Sequence, residues 1–415
     1  MSGPAALISF ALIGLSQKGE WVMGITEESL EVHRTEEQRR RILEETSGLV
    51  RSPLPTPMLQ PYEVFDQDIF DLEMLRVFSR SWIWLGDTED LQRPGDYITA
   101  DIGYQSVVVI KQEDGSIKGF LNNCRHRASG LVFEPAGHCE KALTCPYHNF
   151  AYAFDGRLIG IPDKKRMYPE GFPMEDYGLV PIRIAIAWNK LVFGCLSHKT
   201  VPFREWIAPL AERYDMYGFE NFQRFHRDLD QVYPMNWKAF VENSNDDYHV
   251  RFVHSRLNKQ RKSMDTIVRF EGRTCSGYKP HRGTDDPSGG RTDLPEEQLK
   301  GHYADFIYPN LTPLPYPTQL ILVRADPISP TQTRLFSRIY GFTRDKKEQD
   351  AVLDNLAQTN KEDTDMVVIL MKNLRSLFYR VGPPSTWEGR AAHIMRLIRE
   401  DMDTPLKNEF DGPID

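Results

Sequence analysis

Apolar positions follow two rhythms along this chain, and each change of rhythm marks an element. Between Thr26 and Thr46 the residues are largely charged, and Thr35-Glu36-Glu37-Gln38 is a capping box, which predicts a helix. Arg51 to Pro61 is proline-rich and reads as a linker. Over residues 68–82 the apolar side chains Ile69, Leu72, Leu75, Val77 and Phe78 fall at helical spacing. The rhythm then turns to strands. Ser106 to Ile110 is a β-branched run, and Glu113-Asp114-Gly115-Ser116 supplies the turn into Ile117 to Leu121. Phe150 to Phe154 and Arg157 to Ile161 flank Asp155-Gly156, a strong hairpin signal. Further strands are expected at Gln319 to Val323 and Thr333 to Phe342. A long helix is expected from Gln349 to Tyr379, and Ser385-Thr386 opens another with Ala391, Ile394, Leu397 and Ile398 at helical spacing. The pattern predicts an α+β chain. Residues 26–80 are helices packing on the larger domain, 81–196 is a small antiparallel-β domain, and 197–415 is an antiparallel sheet covered by helices.

Composition narrows the class. At 415 residues the chain can bury two full cores. A formal net charge of −8 argues against a nucleic-acid surface. Five cysteines do not make a disulfide scaffold and fit a reducing cytoplasm. The apolar run from Pro4 to Leu15 has no Lys or Arg before it, no small-x-small cleavage site, and is too short to span a bilayer. Residues 1–25 are therefore expected to be a loose extension, with Met23 an alternative start. No internal repeat or low-complexity tract is present.

The chemistry is concentrated in two places. Cys124-Arg125-His126 and Cys145-Pro146-Tyr147-His148 are two clips, each offering one thiolate and one imidazole. Both sit on loops between short strands. A zinc site of two cysteines and two histidines ordinarily pairs like with like, Cys-x₂₋₄-Cys and His-x₃₋₅-His. Mixed clips instead suit a [2Fe–2S] cluster with two cysteines on one iron and two histidines on the other. The pattern resembles a Rieske motif. Ser129 and Tyr147 stand where respiratory Rieske proteins carry an extra pair of cysteines, so the closer resemblance is to the Rieske domain of non-haem iron oxygenases. That family favours Cys-x-His-Arg-Gly and Cys-x-x-His-Gly-Trp. Arg127 is kept here, but Ala128 replaces the first glycine and Asn149-Phe150 replace Gly-Trp.

The second place runs from Asn236-Trp237-Lys238 through Glu242-Asn243 to Asp246-Asp247-Tyr248-His249 and His254. Two histidines five positions apart lie about 140° apart on a regular helix. They share a metal only if the helix widens or ends between them. By spacing alone, two surface histidines beside an acidic patch are the favoured reading. The whole segment resembles the iron-binding stretch of ring-hydroxylating dioxygenase alpha subunits. That resemblance implies mononuclear Fe(II) on His249, His254 and a carboxylate from a late helix, with one face open for dioxygen. Asp363 is assigned to that role, with Glu362 and Asp365 as competitors in the same acidic run.

The resemblance also implies a function. A one-electron cluster and a dioxygen-activating iron in one chain describe the terminal oxygenase of a multicomponent system, fed from NAD(P)H by a reductase and sometimes a ferredoxin. It implies cis-dihydroxylation of an aromatic compound, with monooxygenation or demethylation as the alternative, and a homotrimer or α3β3 assembly with a small beta subunit. No dinucleotide fingerprint is visible, so the nicotinamide is expected to bind elsewhere. In the family an aspartate bridges the iron histidine to a cluster histidine of the next subunit. Asp246 takes that place, reaching from His249 toward His148 of the partner subunit, and the adjacent Asp247 is expected to be a bystander. Arg251 is left open between substrate, subunit contact and solvent. Phe240, Phe252 and Ile267 are expected in a pocket or the core, and 280–297 as a surface loop. A pure electron carrier, with one metal centre, and a zinc-stabilised binding protein are the readings from other classes.

Overall fold

Strand alternation and tight turns build most of this molecule. The computed structural model describes residues 58–260, 266–281, 289–376, 378–379, 381–406 and 409–410. The expected extension, the Thr35 capping box and most of the linker lie outside the described residues.

After a short helical turn at Pro61–Phe65 comes a helix, α1 (Gln67–Glu73), capped by Asp66, whose carboxylate accepts from Asp68 N at 2.8 Å and Ile69 N at 3.1 Å. It continues as one wide π-type turn over Met74–Phe78 and stops before Trp82. A seven-stranded antiparallel sheet follows, ordered β1 (Ile83–Asp87), β10 (Leu191–Cys195), β9 (Pro181–Ala187), β4 (Ile117–Leu121), β3 (Gln105–Lys111), β2 (Asp96–Ile102) and β5 (Ala136–His138). A small three-stranded sheet, β6 (Leu143–Thr144), β7 (Ala151–Tyr152) and β8 (Leu158–Gly160), sits beside it. The expected hairpin about Asp155-Gly156 joins the last two, and Gly156 takes φ of 90° there. A separate apolar cluster of Val108, Phe120, Leu143, Phe150, Tyr152 and Leu158 backs the two clips.

The larger domain is an antiparallel sheet ordered β11 (Gln223–Arg224), β18 (Gln332–Gly341), β17 (Gln319–Ser329), β16 (Leu311–Pro315), β15 (Gly301–Ile307), β14 (Thr274–Pro280) and β13 (Ile267–Glu271), with β12 (Leu229–Tyr233) also paired to β18. β14 is buried along nearly its whole length. Side chains alternate across it, so Cys275, Gly277 and Lys279 share one face and Ser276 and Tyr278 the other. Against this sheet pack α2 (Trp237–Ser244), α4 (Lys346–Asn373) and α5 (Gly389–Asp403), and the single turn α3 (Val250–Val253) follows α2. The predicted helix from Gln349 begins earlier, where Asp345 caps it by accepting from Glu348 N, and ends at Asn373. Its apolar spacing runs on toward Tyr379, but burial does not: Phe378 is 93% exposed. Ser385, expected to open the last helix, forms a capping box with Glu388 as its return partner, ahead of α5.

Candidate metal centres

Each clip closes on a tight turn. Ala128 N donates to Cys124 O at 2.8 Å, and Asn149 N donates to Cys145 O at 2.9 Å. Both turn residues are left-handed, at φ of 56° and 55°. Asparagine tolerates that region and alanine carries the Cβ penalty, which explains why glycine suits the first position. The turns set the clips facing one another. The His126 and His148 rings lie edge to face at 4.7 Å between centroids, and Phe150 stacks flat on His126 at 4.6 Å.

Both cysteines are buried. The Tyr152 hydroxyl lies 3.2 Å from Cys124 Sγ and accepts from Arg125 N at 3.0 Å. As a metal ligand Cys124 would be a thiolate with no proton to give, so the phenol would be the donor to the sulfur. Burial pushes the Cys145 thiol up, but the backbone N–H groups of His148 and Tyr147 override it and hold the thiol below its ordinary range. His126 Nδ1 is buried without a hydrogen-bond partner among the described residues. An orphaned imidazole nitrogen beside a favoured thiolate fits a metal–sulfur group on this set.

The second centre is built by α2, α3 and α4. Asn236 caps α2 by accepting from Lys238 N at 2.9 Å. His249 precedes α3 and His254 follows it, and the backbone of His254, at φ −101° and ψ 73°, has left the helix. That exit answers the 140° problem. The two Nε2 atoms converge to 3.3 Å. Asp363 Oδ1, from α4, lies 2.9 Å from His254 Nε2 and 3.2 Å from His249 Nε2. All three ligand atoms fall within 4.8 Å, and Asn243 Nδ2 donates to the same Asp363 oxygen at 2.9 Å.

The competitors of Asp363 separate cleanly. Glu362 Oε2 takes the far nitrogen of His254, Nδ1, at 2.8 Å, and Gln358 holds its other oxygen at 3.0 Å. Asp365 points to solvent and pairs with Lys361 one turn earlier on α4. Asp246 Oδ2 lies 3.3 Å from His249 Nδ1, within ion-pair reach but not aligned as a hydrogen bond. Burial alone would push the His249 imidazole down; the carboxylates of Asp246 and Asp363 lift it to about 9. Burial likewise raises Asp363, and the two histidines override it and hold the carboxyl far below the usual range. Three carboxylates around two converging imidazoles suit a divalent cation held by two nitrogens and one oxygen.

Some expectations fail. Asp247 is no bystander: it is buried and ion-paired to Lys279 Nζ at 2.7 Å and to Arg390. Phe240 is core, but Phe252 and Ile267 are exposed, because α3 turns its outer side and β13 its edge to solvent. Arg251 is exposed and lies over the Phe252 ring. Residues 282–288 of the expected surface loop lie outside the described residues. Tyr152 and the orienting role of Glu362 escaped the sequence pattern, although Tyr152 follows Cys145 by a fixed short hairpin.

The family model for the Rieske [2Fe–2S] domain matches residues 81–179, and that for the ring hydroxylating alpha subunit catalytic domain matches 215–404. The large oxygenase component of the naphthalene 1,2-dioxygenase system of Pseudomonas putida is 32% identical over 207 residues, 48% of this chain and 45% of that protein. The glycine betaine monooxygenase oxygenase subunit of Pseudomonas aeruginosa (strain UCBPP-PA14) is 31% identical over 203 residues, 49% of this chain and 46% of that one. The chain thus spans about half the length of the curated relatives it matches. Among solved structures, the quaternary ammonium Rieske monooxygenase CntA with an inhibitor superposes with a TM-score of 0.74 at 20% identity, over 85% of this chain and 98% of that one. Naphthalene 1,2-dioxygenase from Rhodococcus sp. bound to indole gives 0.73 at 19% identity, over 88% and 98%. At these identities the likeness is one of fold.

Proposed function

Because this chain belongs to the Rieske non-haem iron oxygenases with a ring-hydroxylating alpha-subunit catalytic domain, we propose that it is the terminal oxygenase of a multicomponent system acting on an aromatic compound. The observation that carries the reading is the pairing, in one chain, of a Rieske domain with a half-buried His–His–carboxylate cluster. When bound, the [2Fe–2S] cluster supplies single electrons and the mononuclear iron activates dioxygen.

This chain's own residues do the rest. Cys124, His126, Cys145 and His148 would hold the cluster, and Phe150 fixes the His126 ring by stacking. His249, His254 and Asp363 would hold the iron. Glu362 orients His254 through Nδ1, and Asp246 stands at the equivalent nitrogen of His249. Electrons reach the chain from a reductase, with or without a ferredoxin. The chain assembles head to tail in threes, alone or with three small beta subunits, so that His148 of the partner subunit approaches Asp246. Exposed apolar side chains near both centres support that docking: Phe133 and Tyr147 close in sequence to the clips, and Tyr248, Phe252, Met366, Ile369 and Leu370 close in sequence to the iron ligands.

The product we favour is a cis-dihydrodiol, in line with the naphthalene relatives. Monooxygenation is the second reading, favoured by the glycine betaine relative and by the fold match to a monooxygenase. Isotopically labelled dioxygen decides between them: two labelled atoms in the product support dihydroxylation and one overturns it. Iron analysis tests the site itself, with about three irons expected per chain. Two irons would leave an electron carrier, and zinc without a visible spectrum would sink both centres.

A further inference from the structure

The turn between α2 and α3 carries both Asp246 and His249, and a buried charge cluster lies directly beneath it. Arg390, the second residue of α5, is 1% exposed. Its Nη2 donates to Asn245 Oδ1 at 2.7 Å, and its Nη1 faces both Asp247 carboxylate oxygens, at 3.4 and 3.5 Å. Lys279, from β14, takes Asp247 Oδ1 at 2.7 Å. Cys275 Sγ, from the same face of β14, lies 3.6 Å from Asn245 Oδ1. Asn245 and Asp247 flank Asp246 and are themselves buried, at 0% and 3%.

A second feature points the same way. Gly277 lies between Cys275 and Lys279 on β14, and a Cβ built there would overlap Arg390 Nη1. Gly277 is not among the glycines at positive φ, so its conformation does not require glycine. What requires it is the guanidinium: the strand gives up a side chain to seat it.

Such a cluster is costly. Taking three charges out of water costs several kcal/mol per ion, and apolar side chains of equal volume often serve stability as well or better. What ions add is a defined geometry. Arginine's planar fork bonds two partners at fixed angles, which an apolar contact does not. Resting on the reading of His249 as an iron ligand, we propose that Arg390 is a positioning residue for that centre. Through Asn245 and Asp247 it locks the turn, so that Asp246 and His249 are presented in register with His254 and Asp363. The C-terminal helix is thereby part of the iron site without touching it.

Two variants reach the clamp from outside the turn. Arg390→Met removes the fork and leaves Asp247 paired with Lys279, a neutral pair that the fold can keep. Gly277→Ala keeps every charge and displaces only the guanidinium. Both are purified as the full chain, with the Rieske EPR signal as the check that the first domain is intact. Hydrogen exchange of residues 243–254 and the equilibrium affinity for Fe(II) are then measured. Both variants should exchange faster in that segment while β14–β17 stay protected, and should bind Fe(II) about 10–100-fold more weakly. Arg390→Lys should recover only part of the loss. Exchange and iron affinity within twofold of the parent in both variants would overturn the clamp. Failure of the iron reading looks different: the parent chain would then take up no third iron, or Asp363→Ala would retain it. In that case the exchange measurement alone decides the clamp.

Discussion

At the scale of single residues, three side chains answer questions that spacing leaves open. Ala128 holds a left-handed conformation, so Ala128→Gly should stabilise the folded chain by about 1 kcal/mol, measured by denaturant titration of the holoprotein. An unchanged midpoint would mean that the Cβ is not strained there. The Tyr152 hydroxyl lies 3.2 Å from Sγ of Cys124, a proposed cluster ligand, and a hydrogen bond donated to that sulfur would favour the reduced, more negative state. Tyr152→Phe should therefore lower the reduction potential by on the order of 50 mV, the one-electron equivalent of one ordinary hydrogen bond. A potential that stays or rises refutes that donor role. Glu362 is the third. Its place on His254 Nδ1 predicts that Glu362→Ala binds Fe(II) about 10–100-fold more weakly with the Rieske spectrum intact. Asp363→Ala should lose the iron outright, and Asp365→Ala should change neither. Equal loss from Glu362→Ala and Asp363→Ala would return both to the list of direct ligands.

At the scale of elements, α2 carries more than the iron turn. Glu242, one turn before Asp246, is buried and accepts from Leu59 N at 2.9 Å, tying the entering chain to this helix. Burial pushes its carboxyl up to about 7 from an ordinary value of 4.5. The folded chain thus keeps a proton that the unfolded chain has already released. Stability attributable to this group falls as pH rises from about 4.5 to about 7 and is level beyond, a loss on the order of 3 kcal/mol. Glu242→Gln keeps the acceptor for Leu59 and removes the titration. It should match the parent near pH 4.5 and exceed it in stability at pH 8, read as the difference between their urea midpoints. Parallel curves across that range would show that Glu242 stays ionised in the folded chain.

At the scale of the whole molecule, exposed apolar side chains flank each centre, and the proposed head-to-tail assembly would cover them. Chains lacking the cluster (Cys145→Ser) and chains lacking the iron (His249→Ala) should each be inactive. Co-expressed, they should regain partial turnover as mixed assemblies, and adding Asp246→Ala to the iron-competent chain should abolish the gain. Mixed assemblies that stay dead, with both chains folded and associated, would place electron transfer within one subunit.

The sequence by itself determined what is local or carried by residue identity. The two clips, the His249–His254 pair and the hairpin at Asp155-Gly156 are contiguous text, and their chemistry follows from residue type and short spacing. Strand and helix rhythms likewise reveal the α+β architecture, because burial on one face repeats with the backbone period. Tertiary structure decided whatever depends on chain segments far apart. Asp363 and Glu362 are neighbours on one helix, and only the direction from which α4 approaches His254 makes one face both Nε2 atoms and the other Nδ1. Asp246 and Asp247 are the same residue type side by side. One stands beside His249 and the other is buried against Lys279 and Arg390, from a strand and a helix met much later in the chain. A glycine inside a strand hints at a close approach, but not at what approaches. The guanidinium that fills the space beside Gly277 belongs to α5, and its burial is a product of packing that no local pattern encodes.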